Sequence, residues 1–497
     1  MLLLNLDEKS REPKYHQVLE GIRSRIEDRT LLPGERLPST RRLAETLGVH
    51  RSTIALAYQE LWSLDFLDLR PGARARVRER LQIVTTVDRT AKSLIEWQAT
   101  ASKASESALN SHRLVSPVTK GDESLPAISF RSLDMDHRLF PLENFRSCLT
   151  RITKKHGAAL LGYGDHAGFL PLRESIARRL QCHSISVTAD EIMITSGAQQ
   201  AIDLVFRMLA SPGRAVAIES LTYSHMLPLL RLSGLQPIEI PIRSDGMDLE
   251  YLERMIGKEK PALIYTMPTF HNPTGVSTDQ AHRERLLSIC ERHRIPILED
   301  AFEEEMKYFG KVVLPIKSMD SRRIVIYCGT FSKVLFPGVR IGWIAAEREC
   351  IERLVGIRCF SDLAPNTILQ AAMDEFCRNG YYDRHINRMH RIYRRRMQTA
   401  VRALREFISP EWAEWTDPSG GYLIWLKLKP VSTPAPDWKS LFAAHGVQVA
   451  HGRQFFFSDP GDTYFRLSIS TLDEEEIVEV LRRLSRALDH AYAKNQY

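Results

Sequence analysis

No run in this chain approaches the roughly 18 consecutive apolar residues that a membrane span needs. Its start, MLLLNLDEKS, lacks the basic region of a secretory signal and meets Asp7 and Glu8 at once. Cysteine is sparse. Seven are scattered at 148, 182, 290, 328, 350, 359 and 377, with no C-x-x-C pair among them. That excludes a disulfide or zinc framework, predicts no metal site, and reads as the reduced core thiols of a cytoplasmic protein. Strong charge is missing too: +7 is modest for 497 residues, so its placement matters more than its total. That length is too great for one ordinary core and predicts two or three domains.

What charge there is gathers early. Residues 36–80 hold nine arginines against five acids, a footprint suited to phosphate. Ahead of it, KYHQVLEGIRSRIEDRT spaces Tyr15, Val18, Leu19, Ile22 and Ile26 by three and four residues, one face of a helix. LLPGERLPS breaks that helix, and Ser39 is a natural N-cap for a second, TRRLAETL, with Leu43, Ala44 and Leu47 inward. Gly48 ends it, and RSTIALAYQELWSL begins a third helix burying Ile54, Ala57, Leu61 and Leu64. Two short helices across a tight glycine turn predict a helix-turn-helix, with Arg51, Ser52 and Thr53 aimed at base edges. LRPGARARV then predicts a two-stranded wing able to lay Arg70 and Arg74 on phosphate.

LLPGERLPSTRRLAETLGVHRSTIALAYQEL resembles the GntR-type winged helix. That resemblance implies double-stranded DNA as partner, contacted through Ser39, Arg41, Arg42, Arg51, Ser52 and Thr53. One departure stands out: SLDF occupies the place where the family has a glycine before the aromatic, so the approach to the wing is expected to differ in angle. The boundaries drawn are a winged helix over 1–78, a linker over 79–125 and a body over 126–497. Within the linker the apolar periodicity fades, though RTAKSLIEWQATASKASESAL is compatible with a loose helix.

From residue 190 onward, short apolar runs alternate with amphipathic stretches: EIMIT, AVAIE, ALIYT, IPILED and IVIYC. Such alternation predicts a largely parallel sheet flanked by helices, whose ligands bind at the carboxyl ends of the strands. Each of those ends leads into polar or aromatic residues: SGAQQ, SLTYSHM, MPTFHNPTG, EDAF and GTFSK. A Ser-Gly-Ala turn opening a helix offers free amides to a phosphate. Lysine, carboxylate and arginine at neighbouring strand ends are the groups a pyridoxal 5′-phosphate (PLP) pocket needs.

YGDHAGFLPLRE, TSGAQQAID, NPTG, ED, SK with PGVRIGW, PSGGYLIW and FRLSIS together resemble the fold-type I, class I/II aminotransferases. The resemblance implies Lys333 as the catalytic Schiff-base lysine and Asp300 as partner of the pyridinium nitrogen. It implies Asn272 on the ring oxygen and Tyr223 stacked on the ring. Ser196, Gly197, Ala198, Thr330, Ser332 and Arg340 are implied for the phosphate, with Tyr163 reaching in from a second subunit. Arg466 is implied to grip an effector or substrate carboxylate. Phe302 departs from the family's tyrosine, keeping the apolar wall but losing a hydroxyl on the ring oxygen.

A GntR-type head on such a body resembles the MocR subfamily of transcription regulators. The expected fold is α/β: a winged helix-turn-helix, an aminotransferase-like large domain, and a small α+β C-terminal subdomain. That resemblance implies a head-to-tail homodimer that binds promoter DNA and senses a small amino compound, which displaces Lys333 to form an external aldimine. An active PLP-dependent aminotransferase carrying a DNA-binding head is the alternative. Phe302 argues against efficient turnover and the intact NPTG argues for it.

Overall fold

A computed structural model describes residues 4–7, 10, 12–79, 93–115, 127–431 and 436–493. Two compact units make it up, residues 1–96 and 97–497. Much of the expected linker, 80–92 and 116–126, lies outside the described residues.

In the first unit, Lys14–Glu27 buries Val18, Leu19 and Ile22. Ser39 caps Thr40–Leu47, its Oγ accepting from the Arg42 amide at 3.3 Å, and Gly48 closes that helix with φ +64°. His50 caps the third helix, Arg51–Ser63, through its ring nitrogen, which accepts from the Ser52 amide at 3.3 Å. Leu67–Asp68 and Arg76–Val77 pair antiparallel as the wing.

Leu64 is a correction. It is 44% exposed, because the helix stops at Ser63 and Asp65 turns the chain with φ +64°. Phe66, 3% exposed, fills the core instead. At the place where the family has a glycine, Asp65 adopts the left-handed conformation a glycine would, and aspartate tolerates it better than most side chains. Its carboxylate also accepts from Arg78 on the wing.

In the second unit, seven strands form one sheet. From edge to edge they are Ile192–Thr195, Gly342–Ala345, Val325–Thr330, Ile297–Asp300, Ile264–Thr266, Ala215–Glu219 and Gln236–Ile240. Gly342–Ala345 runs antiparallel to both neighbours, and the other pairings are parallel. Every residue of the five strands foreseen in the sequence is buried, which is why they read as unbroken apolar runs and not as alternation.

A smaller antiparallel sheet, Ala413–Trp415, Leu423–Leu428, Thr463–Ser468 and Ala450–His451, forms the C-terminal subdomain. The long helix Tyr381–Phe407 packs on the last helix, Glu474–Ala493. Ile128–Ser129 joins the subdomain by pairing with Val447–Gln448. In the linker range, Lys103–Val115 is a helix lying on Met226–Leu232. Among the described residues no helix is long and apolar enough to cross a membrane.

Asp65→Val places a β-branched side chain at a positive φ and should destabilise the head by about 1–2 kcal/mol. Amide hydrogen exchange across Arg51–Ser63 should accelerate in that variant, while Asp65→Gly should leave it near the parent's rate.

Candidate functional site

Because the parallel strands share a direction, their carboxyl ends open on one side of the sheet. There the chain encloses a cavity of about 550 Å³. Tyr223, Asn272, Asp300, Phe302, Thr330, Ser332, Lys333, Arg340, Arg466 and Ala198 all line it. Residues separated by up to 268 positions in the chain thus meet in one place.

Lys333 follows the strand Val325–Thr330 through a short turn, in which the Ser332 amide donates to Thr330 Oγ1 at 3.1 Å. Its Nζ donates to the Leu133 carbonyl at 2.9 Å. Burial holds this ammonium below its ordinary pKa, with Asp134 and Glu303 opposing and Arg466 and Arg340 reinforcing the shift. Asp300 ends the next strand. Its Oδ2 accepts from Tyr265 at 2.8 Å, while Oδ1 is buried and in no hydrogen bond of ordinary geometry among the described residues, although the Phe302 amide also favours the charged carboxylate. Burial pushes this carboxyl up to about 6.

Arg466 is 7% exposed and rises from the small sheet into the same cavity. Its Nη1 donates to Asn272 Oδ1 at 3.0 Å and its Nη2 to the Arg131 carbonyl at 2.9 Å, with the Phe455 ring 5.0 Å from the guanidinium carbon. Burial lowers its pKa to about 10. Arg340, in the left-handed region at φ +50°, donates from Nη2 to the Ser196 carbonyl at 2.8 Å. A Cβ added to Gly197 would lie 2.7 Å from that Nη2, so glycine is what lets the arginine settle at the start of helix Ala198–Leu209.

Three sequence-predicted residues stand apart from the cavity wall. Ser196 and Gly197 lie beneath Arg340, behind Ala198. Tyr163 is 89% exposed and does not line the cavity.

A buried PLP-sized group fits these residues on three observations. Asp300 offers one unused buried oxygen, Ser332 Oγ is buried and unpartnered among the described residues, and a positive helix end with an arginine over it awaits an anion.

Sequence comparison agrees with the geometry. A model of the family "Aminotransferase class I and II" matches residues 134–484. The chain belongs to that family. Residues 14–77 match "Bacterial regulatory proteins, gntR family", so a GntR head is fused to an aminotransferase body, the MocR-type architecture. The chain is 35% identical to an aromatic-amino-acid aminotransferase of Thermococcus litoralis over 361 residues, 71% of this chain and 86% of that protein. It is 28% identical to the probable rhizopine catabolism regulatory protein MocR of Rhizobium meliloti over 463 residues, 92% of this chain and 90% of that one. Among solved structures, the α-aminoadipate aminotransferase LysN of Thermus thermophilus, complexed with N-(5′-phosphopyridoxyl)-L-leucine, superposes with a TM-score of 0.72 at 29% identity. The superposition covers 80% of this chain and 100% of that one.

The aminotransferase-family body also supplies residues that sequence reasoning missed. Ser129, Arg131, Ser132, Leu133 and Asp134 form a wall of the cavity, from a stretch with no periodic signal. His225 stacks on Tyr223 with ring centroids 5.1 Å apart. Tyr265 orients Asp300, and its signal was there to find: a hydroxyl inside the apolar run ALIYT, opposite Leu298 on the strand that ends in Asp300. Glu303, 0% exposed, has neither carboxylate oxygen in a hydrogen bond of ordinary geometry among the described residues. Burial raises it to about 8, against the pull of Lys333 and Arg466.

That value exceeds the 4.5 of a free glutamate, so the folded chain keeps a proton that the unfolded chain gives up between the two. Stability from this group is full below about 4.5 and lost as pH rises through about 8. Glu303→Gln, which cannot ionise, should therefore gain on the parent as pH rises from about 5 to about 8. Denaturant midpoints of the two proteins across that range measure the change.

Proposed function

We propose that this chain is a PLP-dependent transcriptional regulator whose winged helix grips promoter DNA and whose body senses a small amino compound carrying a carboxylate. One observation carries the reading. A lysine amine with a depressed pKa, a carboxylate with one free oxygen and a buried guanidinium share a single cavity in a chain with a GntR head.

Lys333 would hold the cofactor covalently and Asp300 Oδ1 would accept from its ring N–H. Asn272 would face its ring oxygen, and Tyr223 and Phe302 would bracket its ring. The helix start at Gly197 and Ala198, with Thr330, Ser332 and Arg340, would hold its phosphate. When bound, the group supplies an electrophilic carbon and an electron sink. Tyr163, exposed on its own chain, would complete the pocket of the second subunit of a homodimer.

The chain's own residues supply a route for sensing. Lys333 Nζ holds the Leu133 carbonyl and Arg466 holds the Arg131 carbonyl, both on one short segment near the start of the body. A carboxylate arriving at Arg466 competes with the Arg131 carbonyl, whereas Lys333 Nζ, engaged by the cofactor at rest, would be free to donate to the Leu133 carbonyl once an amino compound displaces it. Occupancy would thereby exchange one tie on this short segment for the other. A ligand shifts such an equilibrium only by its difference in affinity for the two states, typically about 1–3 kcal/mol.

Exposure supports the DNA-reading residues. Ser39, Arg41, Arg42, Arg51, Ser52, Arg70 and Arg74 are exposed, with Thr53 half-buried at the start of the recognition helix.

The purified protein should be yellow, and borohydride reduction followed by digestion should leave a pyridoxyl mass on the peptide holding Lys333. Lys333→Ala should lose the colour and the response of DNA binding to amino acids, yet still bind DNA. A parent protein that reduces without that mass would overturn the sensor reading, and sustained turnover of amino donor plus 2-oxo acid would assign an enzyme instead. Phe302→Tyr restores a donor beside the ring oxygen. It should move the pH at which the bound cofactor's visible band titrates downward, because the added hydroxyl stabilises the deprotonated form.

A further inference from the structure

The helix Tyr381–Phe407 holds eight arginines, two carboxylates and no lysine. One arginine is accounted for by packing: Arg396 is buried against Asp136 at 2.7 Å. The other seven are exposed. Of these, Arg384, Arg388, Arg391, Arg395, Arg402 and Arg405 follow one another by three, four or seven residues, with Gln398 filling the one gap. At about 100° per residue that spacing confines them to an arc of about 100°, opposite the buried Met389, Tyr393, Met397 and Leu404. The stripe is about 31 Å long, from 21 residues at about 1.5 Å each.

Neighbouring acids claim only its middle and one end. Glu474 pairs with Arg395 at 3.4 Å and Asp417 pairs with Arg405, while Glu406 is the one acid of the helix on the arc. Arg384 rests on the Gly380 carbonyl and over the Tyr381 ring. Arg388, Arg391 and Arg402 have no ion-pair or hydrogen-bond partner among the described residues. Arg394 beside them lies over the Phe309 ring. A solvated helix face usually interleaves both signs, and lysine serves it as well as arginine. Partnerless arginine forks repeated along a single helix suit the bidentate recognition of phosphate.

We infer that this stripe is a second, sequence-independent DNA surface, on the body of the chain and separate from the winged helix. Duplex DNA presents one phosphate charge per about 1.7 Å of axis, and its helical turn of about 34 Å is close to the length of the stripe. A continuous polyanion of that pitch matches a continuous row of cations of that length. The contact carries no base readout, since the helix is packed along its length against the body and cannot sink into a groove. It adds affinity and a salt-dependent share of the binding to whatever sequence the head selects.

Fluorescence anisotropy of the full chain on a 60-base-pair duplex of mixed sequence, across a series of potassium chloride concentrations, tests this. Replacing Arg388, Arg391 and Arg402 together by alanine should flatten the slope of log K against log salt by about 1 per arginine. The weakening should be uniform when the duplex sequence is changed. Lysine at the same three positions should restore most of the slope, which a variant impaired in folding would not do. The three side chains lie off the cofactor cavity, so the visible spectrum and melting temperature should match the parent. Replacing Arg41, Arg42 and Arg51 in the head should remove a separate increment. An unchanged slope in the triple-alanine chain would overturn the inference. So would loss of binding to anionic phospholipid vesicles or to single-stranded RNA with the duplex slope intact.

Discussion

Three ionisable groups, Lys333, Asp300 and Arg466, are held out of water around one cavity, with Glu303 buried within their electrostatic reach, and much of the body is arranged to tolerate that. An isolated ion in such a place costs several kcal/mol, so each must find a counter-charge, a dipole or a changed protonation state. Here all three remedies occur. Arg466 leans on an amide oxygen, a carbonyl and a ring face; Asp300 takes a tyrosine hydroxyl; Lys333 and Glu303 meet the penalty by shifting towards their neutral forms. What remains unsatisfied is an orphan carboxylate oxygen and an unpartnered serine hydroxyl. The cavity is therefore most settled when something polar fills it.

The two units differ in how openly their sequences disclose them. The head is written in short-range signals: Ser39 before its helix, Gly48 after it, apolar residues at helical spacing. Only Leu64 escaped, because its fate depends on the turn at Asp65 and not on periodicity. The sheet of the body was equally open, since strands buried on both faces must be continuously apolar and their polar ends must face a crevice. Lys333, Asp300, Asn272 and Arg466 were legible as motif positions, and the fold brings them together.

Contacts made by backbone and by second-line residues were not legible. The wall at 129–134 functions through carbonyl oxygens, which every residue type possesses, so no side chain advertises it. Tyr265 acts by lying beside Asp300 on an adjacent strand, a relation that requires the strand order before it has meaning. Glu303 reads as one acid of three in EEE. Only its neighbour Gly421, where an added Cβ would sit 2.5 Å from its Oε2, reveals how closely it is enclosed. The arginine stripe lay in plain view as letters: six of the helix's eight arginines share one face by spacing, while Arg396, one step past Arg395, falls on the buried side and pairs with Asp136.

The bond from Tyr265 to Asp300 makes that carboxylate lopsided: one oxygen is spoken for and the other is vacant. A guest with a lone N–H on a flat heterocycle can be met in full. An amidine or guanidine, which asks for both oxygens at once, would have to share Oδ2 with the tyrosine. The hydroxyl of a single tyrosine thus fixes the tilt of the carboxylate and the side from which a visitor's hydrogen is best received.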